Sequence, residues 1–318
     1  MSANLHIAFR FLTAKKYAMM MSLSCIILGV GLFIVTQATT AGFEQYFIKT
    51  ILGSDGAVLI QDKIQATQRS QAAGGYGSGF AIEMKEGVKY VQGIEDPAGL
   101  KRILETFSDI SGISVVLRGS VDVTSAQRTE SGMRVYGIDL AEHLKVSNLR
   151  AQIVDGSLEK FAGNLTGAVL GKELADRLQL NVDDSFQLEA HGQKRRYRVS
   201  AIFETGISDI DRVRLYLNTT EARSLLQKAT GATFIQLQLR DPDRAPEVAQ
   251  RLEQVLGYHT QPWQESSKSW LQAFQALTIA SGITVSVFTL IAGLAMFNTL
   301  AMIVLEKTKE IAILRSMG

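Results

Sequence analysis

Two pairs of acids stand close enough in sequence to share a reacting centre: Asp183 with Asp184, and Asp209 with Asp211. Paired carboxylates divide general acid and base roles when one of them is held protonated. Both pairs lie in polar turn-like segments, NVDDS and SDIDR, where acids are expected to stay solvated. The four histidines, His6, His143, His191 and His259, are far apart and show no H-x-x-x-H ligand spacing. Cys25 is the single thiol and lies inside an apolar run, so neither a disulfide nor a thiolate metal site is expected. A G-x-S-x-G elbow is absent. Two segments imitate phosphate-binding loops. QAAGGYGSGF, Gln71 to Phe80, misses G-x-G-x-x-G because position 80 is Phe, and it reads as a flexible surface loop. GAVLGKE, Gly167 to Glu173, has three residues between its glycines where the nucleotide loop needs four, and Glu173 stands where Ser or Thr would bind the metal. No ATP site, cofactor, catalytic residue or metal ligand is expected, and the chain reads as a non-enzyme.

The remaining chemistry lies at the C-terminal end, in Glu306, Lys307, Lys309, Glu310 and Arg315. Lys307 with Glu310, and Glu306 with Lys309, are three apart and can pair along a short helix. Ile311 and Leu314 offer apolar contact on about one face, and Arg315 offers a forked donor to a partner carboxylate. Such a segment can dock onto another protein; the alternative is a frayed helix whose charges meet lipid headgroups.

What positions that segment is the apolar run before it. Ser269 to Leu305 carries no charge over 37 residues, and Tyr17 to Phe43 carries none over 27. As a helix the shorter run is about 40 Å long, more than the roughly 30 Å of a hydrocarbon layer. It is too long for a signal-peptide core and reads as an uncleaved anchor. In the longer run, Gly282, Ser286, Gly293, Ala295 and Asn298 are helix-packing candidates, small or polar groups that let another helix approach closely. Its first part, with Trp270, Gln272 and Gln275, reads as a stalk, with Trp270 near the interface.

The 318 residues hold 33 Lys+Arg against 31 Asp+Glu, a net charge of +2. That balance leaves no footprint for nucleic acid. Arg10, Lys15 and Lys16 precede the first run and Lys307, Lys309 and Arg315 follow the second, which places both termini in the cytoplasm. Glu44 to Lys268 then lies outside, and a domain of that size without cysteine suits a bacterial periplasm.

The outer segment reads as mixed α and β. DPAGLKRILETF starts with a capping Asp and a Pro, as helices do. ISVVLRG, VDVTS and MRVYGI read as short separate strands. AVLGKELADRLQL reads as a strand running into a helix. SFQLEA and RRYRVSAIFE flank HGQK as a hairpin. RVRLYLN and TFIQLQLR read as strands, TEARSLLQKA and APEVAQRLEQVL as helices. The irregular alternation excludes a pure sandwich or barrel.

The end of the second run, FNTLAMIVLEKTKEIAILRSMG, resembles the segment of FtsX-like and MacB-type ABC-transporter permeases in which a spanning helix becomes a cytoplasmic coupling helix. Asn298, Glu306, Lys307, Glu310, Ile311, Ala312, Leu314, Arg315 and Gly318 match that pattern. AFRFLTAKK resembles the amphipathic elbow helix of these permeases. GFEQYFIKTILG resembles the lipoprotein-releasing, Lol-type branch through Gly42, Phe43, Glu44, Ile51, Leu52 and Gly53. GAVLGKELADRLQLNVDDSFQL resembles the mid-domain segment of Lol-type and MacB-type permeases through Gly171, Leu174, Ala175, Leu178 and Asp184.

The resemblance implies an elbow helix at 1–16, transmembrane helix 1 at 17–43, an α+β periplasmic domain at 44–268, a stalk with transmembrane helix 2 at 269–305, and a coupling helix at 306–318. Within the periplasmic domain, a MacB-like periplasmic core, it implies a membrane-proximal subdomain (about 44–118 with 231–268) and an inserted β-rich subdomain (about 119–230). The implied function is that of an inner-membrane permease subunit that transmits ATP-driven motion from a separate ATPase to the periplasm. The implied cargo is a lipoprotein or another hydrophobic substrate. The implied ATPase-coupling residues are Glu306, Lys307, Glu310, Ile311, Leu314, Arg315 and Gly318. The implied partners are a cytoplasmic ABC ATPase, a second permease copy or paralogue, the membrane, and a periplasmic lipoprotein chaperone. The hook hairpin that would dock the chaperone corresponds here to the turn HGQK alone. Such permeases continue through two more spans after the coupling helix, so a truncated chain is expected. A MacB-type efflux permease and a two-span sensory receptor are the competing readings.

Overall fold

A computed structural model of the chain describes residues 16–67 and 87–316. The elbow segment, the glycine-rich segment Gln71 to Phe80 and Gly318 lie outside the described residues. Two compact units emerge, a domain at Phe47–Lys268 and a helical unit made of Met1–Tyr46 and Ser269–Gly318.

The helical unit is formed by most of α1 (Lys16–Asp55) and α11 (Lys268–Ser316). Neither helix contains proline, and Ile27–Asp55 and Lys268–Asn298 are long and apolar enough to cross a membrane. Large apolar side chains stay exposed along both, Leu28 at 72% and Leu290 at 66%, as a lipid-facing surface requires. The helices meet through Ser281 Oγ, which donates to Gln37 Oε1 at 3.1 Å, and through an edge-on contact of the Phe43 and Phe274 rings at 5.8 Å. Hydroxyls elsewhere on α11 bond back into their own helix, Thr284 to the Ala280 carbonyl and Ser286 to the Gly282 carbonyl, which satisfies them without water. Both helices outrun the expected spans: α1 continues past Phe43 to Asp55, and α11 passes through stalk, apolar core and terminal segment without a break.

The domain is built on one mixed sheet. Along the chain come β1 (Val58–Thr67), β2 (Gly87–Val91), α2 (Pro97–Leu104), β3 (Ile110–Thr124), β4 (Thr129–Ile138), α3 (Leu140–His143), α4 (Leu149–Gln152), β5 (Ile153–Gly156) and α5 (Leu158–Gly163). Then follow β6 (Gly167–Gly171), α6 (Lys172–Leu178), β7 (Ser185–Ala190), β8 (Gln193–Phe203), α7 (Ser208–Asp211), β9 (Arg214–Asn218), α8 (Thr219–Leu225), β10 (Phe234–Leu239), α9 (Ala245–Leu256), β11 (Tyr258–Pro262) and α10 (Trp263–Ser266). The strand order is β11-β1-β10-β3-β4-β9-β6-β8-β5, with β2 on β1 and β7 bridging β3 and β8.

Local chemistry accounts for most of these elements. Asp96 caps α2 by accepting from Gly99 N at 2.9 Å, ahead of Pro97 in the first turn. Between β7 and β8 the chain turns on His191 and Gly192 alone, both at positive φ (49° and 76°), as a tight hairpin requires. The expected four-residue turn HGQK is therefore two residues, because Gln193 already pairs with Ala190. The expected short strands ISVVLRG and VDVTS are one strand, β3. Gly119 does not break it; the missing Cβ makes room for the Leu226 side chain.

Among the described residues, two apolar clusters bear on the site. One draws its buried residues from Leu117 to Leu226, with Leu174, Leu178, Phe186, Val199 and Leu215 among them. The other gathers Val116, Tyr136, Phe161, Phe203, Tyr216 and Phe234, and Ile51 of α1 packs against it.

Candidate functional site at the helix roots

The functional candidate is the place where α1 enters the domain and α11 leaves it. Both roots grow from one ladder. β1 follows α1 after Gly56 and Ala57; β11 precedes α10 and α11. The two strands pair antiparallel, with Val58 opposite Pro262 and Ile60 opposite Thr260. Ala57 accepts the Trp263 backbone N–H at 3.0 Å, so the roots are tied within one hydrogen bond of each other.

The last two turns of α1 are buried in the domain through Phe47, Thr50 and Ser54. Its terminal carbonyls would be orphans in water. Here Asn148 N–H donates to the Gly53 carbonyl at 2.7 Å, and Gly56 N–H closes on the Leu52 carbonyl at 3.1 Å. Gly56 sits at φ +75°, and a Cβ there would stand 2.8 Å from the Leu237 carbonyl, so only glycine ends the helix this way. Gln152 Nε2 reaches Ser54 Oγ at 3.3 Å.

Asp55 ends the helix against local preference, since an acid at a helix C-terminus opposes the macrodipole. Its partner is Arg214, the first residue of β9. The guanidinium grips both carboxylate oxygens, at 2.9 Å and 3.2 Å, lies 4.5 Å from the Tyr136 ring centroid and donates to Tyr216 Oη at 3.3 Å. Burial by itself would lower the Arg214 pKa, but Asp55 beside it holds the group well above its ordinary value. Gln236 Nε2 adds a long contact to Asp55 at 3.4 Å.

Next to this pair, His143 is fully buried, with Nδ1 3.2 Å from Ser114 Oγ and its ring 5.4 Å from that of Tyr216. Burial first, and then the Arg214 charge, push its pKa down to about 4, so it is neutral at pH 7. His143 Nε2 and Gln236 Oε1 have no hydrogen-bond partner among the described residues. The serine–histidine pair, 29 residues apart in sequence, was not legible there. With both side chains at 0% exposure, no substrate can reach it.

The root of α11 is lighter. Trp263 is buried and donates from Nε1 to the Pro242 carbonyl at 3.0 Å, and Ser267 N–H closes on the Trp263 carbonyl at 2.9 Å. Lys268, Ser269 and Trp270 are exposed.

Of the sequence-derived site residues, Glu306 to Arg315 all lie on the unbroken terminal part of α11, with Arg315 exposed. The side chains of Glu306, Lys307, Glu310, Ile311 and Leu314 fall outside the described residues. Among the helix-packing candidates, Ser286 and Asn298 are exposed, and nothing described lies within 4 Å of a Cβ built on Gly282 or Gly293.

The acid pairs are structural. Asp211 is buried, contrary to the expectation of a solvated turn, because it ties the β8–α7 connection: it accepts from Thr205 N, Thr205 Oγ1 and Gly206 N at 2.8 to 3.1 Å. Asp183 pairs with Lys160 at 3.0 Å, and Asp184 accepts from Asn181 N at 2.8 Å. Gly171 of the loop-like GAVLGKE ends β6 and lets the Asp211 backbone approach. Among the described residues no group of three His, Cys, Asp or Glu could hold a metal ion.

Residues 19–255 match the model of the MacB-like periplasmic core domain. The lipoprotein-releasing system transmembrane protein LolC of Xylella fastidiosa strain Temecula1 is 26% identical, over 98% of this chain and 73% of the relative. LolC of Neisseria meningitidis serogroup B is 26% identical over 59% of this chain and 48% of its own length. Among solved structures, the periplasmic region of MacB from Actinobacillus actinomycetemcomitans aligns with a TM-score of 0.43 at 13% identity, covering 71% of this chain and 94% of that one.

Proposed function

Because the chain belongs to the MacB-like periplasmic core domain family, we propose that it is the permease subunit of an ABC transporter that turns ATP-driven motion in the cytoplasm into work by its periplasmic domain. The observation that carries this reading is the matched core domain growing directly out of two membrane-length helices. The charge bias of the flanks puts both termini in the cytoplasm and the domain in the periplasm of a bacterial inner membrane.

The energy comes from a separate cytoplasmic ATPase. Glu306, Lys307, Glu310, Ile311, Leu314, Arg315 and Gly318 form its docking surface, with Arg315 as a forked donor to a carboxylate of the motor. Because α11 has no break between Lys268 and Ser316, a tilt imposed at its cytoplasmic end is delivered to the root at Trp263. From there the β1–β11 ladder shares the load with the root of α1. The two helices need no aqueous channel between them. Tyr17 to Phe43 and Ser269 to Leu305 hold no charge, where a polar path through the bilayer would carry one.

The similarity to LolC along nearly the whole chain supports an acylated lipoprotein as cargo, taken from the outer leaflet. A second permease copy or paralogue packs against the small-residue face of α11 at Gly282, Ser286, Gly293 and Asn298. A periplasmic lipoprotein chaperone is the acceptor this reading implies.

A tagged full-length chain should retain a soluble ATPase on purification. The double charge reversal Glu310→Arg with Arg315→Glu should leave the protein in the membrane while uncoupling hydrolysis from release of a fluorescent triacylated peptide from proteoliposomes to albumin. Normal coupled turnover in that variant would remove the role given to these residues.

A further inference from the structure

We propose that the Asp55–Arg214 ion pair is the directional mechanical connection from the end of α1 to β9 in the interior of the sheet, so that Arg214 is a positioning residue for transport. This rests on the permease reading above.

Through hydrogen-bonded strands, a displacement of α1 reaches β9 by way of β1, β10 and β3, and then either through β4 or through β7, β8 and β6. Arg214 bypasses all of them. It stands at the start of β9, between β4 and β6, and grips the last residue of α1 across 159 positions of sequence. The grip is directional: a planar fork on two oxygens fixes both distance and orientation, which an apolar contact does not.

The surroundings make it an engaged connection. The Arg214 side chain is 7% exposed, lies over Tyr136 and bonds Tyr216, so the β9 end of the link is rigid. The Asp55 end is continuous with a helix that reaches back to Lys16. Among the described residues Asp55 is the only acid paired with Arg214. Stability is a poor reason for such a pair, since apolar residues of similar volume stabilise a buried site as well or better. What it supplies is a fixed register between helix end and sheet.

The test replaces the pair by apolar residues in the full chain with its copurified ATPase: Asp55→Leu with Arg214→Met. This variant should unfold at the wild-type temperature or above, yet hydrolyse about tenfold more ATP per fluorescent triacylated peptide released. Leu178→Ala, a buried change in α6 far from both helix roots in sequence, supplies a destabilised control whose coupling should stay normal. A stable apolar variant with wild-type coupling overturns the proposal. If the apolar pair fails to fold, Arg214→Lys, which keeps the charge and loses the fork, is read in the same assay; a lowered coupling ratio supports the proposal and an unchanged one overturns it. If no ATPase copurifies, the permease reading fails, and hydrogen exchange of the full chain in detergent still decides the link. Asp55→Asn should then speed exchange at 52–57 and at 215–217 together, whereas acceleration at 52–57 alone overturns it.

Discussion

The two helix roots leave the same ladder but are held by different forces. The α1 root is sunk into the domain, with its carbonyls capped by Asn148 and Gly56 and its terminal acid paired with Arg214. Among the described residues the α11 root has no buried ion pair: it is held by the Trp263 indole on the Pro242 carbonyl, the Trp263 N–H on the Ala57 carbonyl and one backbone turn at Ser267, before Lys268, Ser269 and Trp270 become exposed. A polar, directional attachment keeps one orientation, because its hydrogen bonds fail if it rotates. An indole seated on a single carbonyl tolerates rotation far better. Under the permease function proposed above, this contrast assigns the role of post to α1 and the role of lever to α11.

The largest effect should come from breaking the post. Arg214→Met alone leaves the Asp55 carboxylate unpaired; because Asp55 is a quarter exposed, the loss should be about 3 kcal/mol, at the low end for a broken buried pair. Thermal unfolding of the full chain in detergent measures it. A change within experimental error would mean that the two roots are equally loose.

The next effect sharpens the contrast through pH. His143 stays neutral in the folded domain with a pKa of about 4, while in the unfolded chain it titrates near its ordinary 6.5. Its folded pKa is depressed, so the unfolded chain binds the extra proton first as pH falls. Its contribution is intact above pH 6.5 and is lost progressively down to about pH 4. Between pH 7 and 5 the loss from this residue should be about 2 kcal/mol. His143→Gln should remove that part of the slope in urea titrations of the full chain at the two pH values. An identical slope in the variant would mean that other groups produce it.

The smallest effect belongs to the lever. Trp263→Phe keeps most of the apolar area and loses the bond from Nε1 to the Pro242 carbonyl, which should lower stability by only about 1 kcal/mol. A loss as large as that of Arg214→Met would erase the distinction between post and lever.

Much of the architecture was legible in the sequence because it rests on local pattern. The capped start of α2, the β6–α6 unit, the β7–β8 hairpin and helix α9 are written in neighbouring residues. Legibility failed where a distant residue intervened. VVLRGSVDV looked interrupted at Gly119 until Leu226, more than a hundred positions later, proved to occupy the missing side chain's space. Asp211 looked solvated until the Thr205 backbone closed over it.

The same division holds for function. Two uncharged runs are enough to place the two long helices, because lipid and the helix period act on consecutive residues. Which helix is anchored was decided only by tertiary structure. Asp55 is an ordinary exposed acid until folding brings Arg214 against it, and burial in low dielectric then turns a weak surface attraction into a fixed joint.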